Sequence, residues 1–220
     1  MKTHLISLAA ALALVAGAAH AATQVGFVGY GAALNSGETL ITDFSNPAAL
    51  PTGYALSGDA AFLTGTSGSG AAPALSTLTR DPGQYLSVEG GQYEVLSTPL
   101  LDEVSVYIGS LDTYNTVTFS FQNGATQAFT GAQLATYVPT TANGDQQSGQ
   151  TNGRFTFNFA APIDAIRFDS SSNSFEIADV AGIPAGGVPE PAVWAMMMLG
   201  FAGIGYALRG ARKTARVAAL

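Results

Sequence analysis

Few side chains in this chain can do chemistry, and the absences narrow the field further. Both histidines, His4 and His20, lie in the first 21 residues, Lys occurs only at Lys2 and Lys213, and Cys is absent. The stretch 22–188 therefore has no His, Lys or Cys. That excludes Ser-His-Asp and Cys-His catalysis, the usual zinc sites, and Ser-Lys or Schiff-base chemistry. Oxygen chemistry remains. Asp43, Glu176 and Asp179 are candidate ligands for a structural Ca²⁺, which takes carboxylate and carbonyl oxygens. Asp43 is expected in an early strand, and Glu176 and Asp179 in the last one. In a regular strand positions 176 and 179 face opposite ways, so one ion reaches both only across a bulge or beyond the strand end. The same three residues serve equally well as solvated carboxylates.

Asp112, Tyr114 and Asn115 form a second candidate. An aromatic face beside an acid and an amide suits sugar recognition. The same trio suits a polar turn, because Asp and Asn bond their own backbone there. Two carboxylate pairs, Asp102–Glu103 and Asp164–Asp169, invite comparison with glycoside hydrolysis. Neighbours in a strand face opposite ways, however, and the second pair flanks a strand. The Gly-rich run 64–70 lacks a following Lys, so it is no phosphate-binding loop. The chain reads as a non-enzyme.

The elements that must position these residues read as all-β. Val104, Val106 and Ile108 alternate with Ser105 and Tyr107. Val117–Phe121, Phe155–Phe159, Ile166–Phe168 and Phe175–Ile177 repeat the pattern. Such alternation means one buried and one wet face, as in an antiparallel sheet. Asn123-Gly124 predicts a type I′ hairpin between Val117–Phe121 and Ala125–Phe129. Ala161-Pro162 predicts a turn between strands, 140–153 and 64–70 predict exposed loops, and Leu134–Tyr137 a helical turn. The expected fold is an antiparallel, jelly-roll-like β-sandwich.

Charge agrees with an exported domain. Residues 22–188 keep 14 of the 15 acids but only Arg80, Arg154 and Arg167 as bases. With no basic patch, nucleic acid is excluded as a partner. The N-terminus has Lys2, an apolar run from Leu5 to Ala16, and a small-x-small site at Ala19-His20-Ala21. This reads as a signal peptide over 1–21. At the other end, 192–208 is an uncharged run of 17 residues. As a helix it would be roughly 25 Å long, against about 30 Å of hydrocarbon. Arg209, Arg212, Lys213 and Arg216 follow it, and Trp194 stands near its start. The expectation is one C-terminal transmembrane helix with a basic stop.

Pro189-Glu190-Pro191, Trp194-Ala195, the apolar run and the basic end resemble the PEP-CTERM sorting signal in its PEPxxWA form. The resemblance implies a Gram-negative protein whose tail is recognised and cleaved by an exosortase. It implies an inner-membrane intermediate, held by the C-terminal helix, followed by delivery to the cell surface or medium. The body of the chain also resembles the exported domain of other PEP-CTERM proteins. The matching pieces are Thr42–Phe44, Leu50–Tyr54, Tyr107–Asn115, Asn152–Phe155 and Asn173–Ile177. The expected organisation is a signal peptide (1–21), a sandwich ectodomain (22–181), a linker (182–188) and the sorting signal (189–220). The resemblance implies a structural or adhesive role in an exopolysaccharide or biofilm matrix. The alternative is a carbohydrate-binding module, with a possible Ca²⁺ as its one cofactor.

Overall fold

A computed structural model describes residues 23–77, 79, 83–186 and 201. The strands are β1 (Gln24–Gly29), β2 (Thr39–Thr42), β3 (Ala55–Gly58), β4 (Ala61–Thr64) and β5 (Gln84–Val88), then β6 (Tyr93–Gly109), β7 (Asn115–Phe121), β8 (Thr126–Thr130), β9 (Gly153–Ser170) and β10 (Phe175–Pro184). A four-residue helical turn, α1 (Gly131–Leu134), and a 3₁₀ turn (Ala135–Tyr137) follow β8. All the paired strands are antiparallel.

The two longest strands organise the molecule. The second half of β6 pairs with β10 and with the first half of β9, which also pairs with β1. On its far side β10 takes β5 and β2, and β4 adds to β5. This is one layer. The first half of β6 and the second half of β9 pair with each other, flanked by β3 and by β7–β8, to make the other. The layers face one another because β6 and β9 fold over midway. Phe119 pairs in register with Ile166, nine positions from Phe157 along β9. An extended strand would separate those positions by about 30 Å. Instead the Phe119 and Phe157 rings stand 4.7 Å apart.

The fold-over has a local cause. Pro99 and Pro162 lie where the β6–β9 register slips, between the pairs Ser97–Ala165 and Glu103–Asn158. Proline has no N–H to give a ladder, so it belongs at such a break. The turn expected at Ala161-Pro162 is thus a bend inside one long strand. Phe119, Phe155, Phe157, Phe168 and Phe175 are fully buried between the layers. Each contributes on the order of 1.5–3 kcal/mol from burial.

Three expectations need correction. The hydrogen-bonded path is one continuous ten-stranded sheet, not the two separate sheets of a jelly roll, because β6 and β9 belong to both layers. The Asn123-Gly124 hairpin is present, but only Gly124 has positive φ (80°). Gly124 N–H donates to Phe121 C=O, and Phe121 N–H to Ala125 C=O. That is the three-residue loop with a bulge, not type I′. The expected transmembrane helix is overturned, and the membrane partner and inner-membrane stage go with it. Among the described residues no helix is long and apolar enough to cross a membrane. The run assigned to it is 192–208. That run, apart from Phe201, lies outside the described residues, as do the signal peptide, Pro189, Glu190, Pro191, Trp194, Ala195 and the four basic residues. β10 runs through Pro184, into the stretch read as a linker.

Candidate functional site

Alternation in β6 predicts a wet face at Ser105 and Tyr107, yet both are buried. The loop after β4 roofs this outer face of the first layer. Tyr85 Oη donates to Gly65 C=O (2.8 Å), Ser87 Oγ to Ser69 C=O (2.7 Å) and Tyr107 Oη to Ala74 C=O (2.7 Å). The stretch 64–70, read as a loose loop, is tied down from below by β5.

One side chain joins this roof to its neighbours. Asn152 accepts from Ala74 N–H (3.0 Å) and Ser110 N–H (3.1 Å) at Oδ1. Its amide donates to the carbonyls of Asp145 (2.9 Å) and Ser148 (3.0 Å). Both ends of the amide are satisfied, as a buried amide requires. Ser110 is held in the left-handed region (φ 44°), a conformation that costs about 1–3 kcal/mol. Its hydroxyl is thereby aimed at Glu176.

Where these loops meet, a polar cavity of about 280 Å³ opens, lined among others by Asp112, Tyr114, Asn143, Gln146, Asn173 and Glu176. Among the described residues no Lys, Arg or His lines it. Glu176 is buried beneath. Its Oε1 accepts from Ala71 N–H (3.0 Å) and from the Ser174 hydroxyl, and its Oε2 from Ser110 Oγ (2.8 Å). Desolvation raises its pKa above the ordinary carboxylate value, against the pull of these donors. Asp112 is half-buried, and desolvation raises its pKa too. Tyr114 Oη donates to Asp112 Oδ2 (2.7 Å), with Asn173 C=O as a second acceptor at 2.8 Å. Burial and the Asp112 carboxylate push the Tyr114 phenol well up. Gly144 (φ 65°) passes so close that a Cβ there would stand 2.5 Å from Asp112 Oδ1. Any side chain at 144 would cover that carboxylate.

The sequence candidates separate. Asp112 and Tyr114 share the cavity, and Glu176 joins them from the other candidate set. Asn115 does not: it is fully buried at the start of β7. Asp179 meets Arg154 instead, with Nη2 at 2.7 Å from Oδ1 and 3.0 Å from Oδ2. Arg154 also donates to Ser105 Oγ (3.0 Å) and Ala32 C=O (3.3 Å). Asp43 caps Ser45 through its backbone N–H (3.0 Å) and hydroxyl (2.6 Å). Those bonds, the hydroxyl's first, hold the Asp43 pKa below its ordinary value. A register shift between Ile177 and Asp179 does supply the bulge that puts 176 and 179 on one face. Their partners nevertheless differ, so Asp43, Glu176 and Asp179 form no common ligand set. Among the described residues no group of three or more His, Cys, Asp or Glu could hold a metal ion. Asn152, Ser110 and Ser174 stand in the pieces that resemble other PEP-CTERM proteins, but no site role could be read for them from the sequence, where Asn152-Gly153 reads as a turn.

Neither a protein-family model nor a curated protein matches the chain. Among solved structures it is similar to the catalytic unit of a thermostable GH87 alpha-1,3-glucanase from Streptomyces thermodiastaticus strain HF3-3. Identity is 16% and the TM-score 0.31, over 61% of this chain and 28% of that one. This chain thus spans little more than a quarter of that catalytic unit. So distant a likeness transfers neither site nor activity.

Proposed function

We propose that this β domain is a carbohydrate-binding module and that the Asp112–Tyr114–Glu176 cavity is its ligand site. The carrying observation is the convergence of two carboxylates, a phenol and three amide side chains on one polar cavity of about 280 Å³. That size is near the lower end for small-molecule sites, roughly 300–1,000 Å³, and suits one sugar ring. The polar lining favours a ligand covered in hydroxyls. The state of the acids supports binding without turnover. Both oxygens of Glu176 are already engaged by protein donors, whereas glycosidases need two carboxyl groups facing the bond to be cut. Titration of the full-length protein with soluble oligosaccharides tests the reading. Binding should occur and weaken at least tenfold in Tyr114→Ala with folding intact. Wild-type affinity in that variant would remove the cavity as the site, and hydrolysis of any glycan would remove the non-enzymatic reading.

The resemblance of Pro189–Ala195 to a PEP-CTERM signal supports a separate proposal, that the tail is removed from the mature protein. Mass spectrometry of mature material should find no peptide beyond the motif. Recovery of Leu220 would overturn it.

A further inference from the structure

Resting on the carbohydrate reading, we infer that the sugar held in this cavity carries a free, protonated amine: the ligand is an amino sugar, not a neutral or acidic one. The geometry leaves one strong acceptor unused. Tyr114 engages Oδ2 of Asp112, a residue of the cavity lining, and among the described residues no donor engages Asp112 Oδ1. The lack of a side chain at Gly144 keeps that oxygen uncovered. Glu176 lies in the same wall, close enough that the Asp112 charge adds to the rise in its pKa that burial causes. The site thus concentrates negative charge, and among the described residues its lining holds no cation to balance it. The described arginines are committed elsewhere, Arg154 to Asp179 and Arg167 to Asp169.

A hydroxyl can donate one hydrogen bond to Asp112 Oδ1 but brings no charge. An ammonium brings three donors and a positive charge, and charge-assisted bonds are roughly twice as strong as neutral ones. The Gln146 amide in the lining can take a remaining N–H group or ring hydroxyl, while the amide oxygens of Asn143 and Asn173 already accept from Asp145 N–H (3.3 Å) and Gly90 N–H (3.0 Å). A uronic acid, sulfate or phosphate would meet two carboxylates with no basic partner. The cavity therefore sorts sugars by charge as well as by shape.

The test is calorimetric titration of the full chain with four oligosaccharides of equal length: chitosan, its fully N-acetylated form, a neutral β-glucan and an oligogalacturonate. Chitosan should bind at least tenfold tighter than the N-acetylated and neutral forms, and the galacturonate should not bind. Chitosan affinity should fall with added salt. Asp112→Asn should bring chitosan affinity down to that of the neutral chain measured on the same variant, and a chitosan preference that survives the substitution would overturn the inference. Equal or tighter binding of the N-acetylated or neutral chain would overturn this inference and leave the carbohydrate reading standing. Binding of none of the four would overturn both. Putrescine serves as a control for the amine alone, and if it matches chitosan the sugar assignment fails.

Discussion

Glu176 and Asp179 sit three positions apart on β10, on the same outer face, under the same roof of loops. Their surroundings differ in one respect. Asp179 is neutralised by Arg154 at 2.7 Å. Glu176 receives three donors, none of them charged. A buried acid with a cation completes a closed structural unit. A buried acid with only neutral donors leaves a negative charge in a low-dielectric wall, available to something from outside. The difference separates scaffold from site along a single strand.

The largest expected effect comes from removing the cation. Arg154→Met should cost about 3–5 kcal/mol, because Asp179 is left as an uncompensated, mostly buried charge. Urea denaturation measures this, and a loss below about 1 kcal/mol would erase the distinction. Glu176→Gln should cost much less at neutral pH, about 1 kcal/mol, since a neutral amide keeps one acceptor and sheds the buried charge. The pH dependence sharpens the contrast. Glu176 is raised above its ordinary value of 4.5, so the folded state binds its proton more tightly than the unfolded state. Stability should rise as pH falls from the raised value toward 4.5, and Glu176→Gln should show less of that rise. Identical pH profiles would mean that Glu176 stays charged at no cost. The smallest effect is expected at Arg167–Asp169, whose side chains are 41% and 32% exposed. Arg167→Ala should cost about 0–1 kcal/mol, part of it from the Tyr93 ring 4.0 Å away.

Much of this was legible from local pattern. Val104–Ile108, Val117–Phe121 and Phe155–Phe159 alternate, and each lies in a strand with those apolar residues turned to the core. Local pattern fails where distant chain decides. Ser105 and Tyr107 look wet in sequence, but a roof from some thirty residues earlier bonds Tyr107 and the Arg154 guanidinium bonds Ser105. Pro162 looks like a strand end, but the ladder breaks around it and β9 continues. The Asp112–Tyr114–Asn115 trio splits because β7 begins at Asn115, which turns that side chain inward. Glu176 was picked out as an acid, but two of its three donors, Ala71 and Ser110, come from distant segments, and only Ser174 is local. No spacing rule links Ala71 and Ser110 to Glu176.

The sharing of β6 and β9 between both layers has a consequence for how the chain must fold. Gln24 on β1 finds its partner, Asn158, only on β9. The first strand must therefore wait, unpaired, until almost the whole domain has been made. Pairings this distant in sequence place the protein among slow, topology-limited folders, on a scale of about milliseconds to seconds. Neither layer can finish ahead of the other, since each lends the other its central strands.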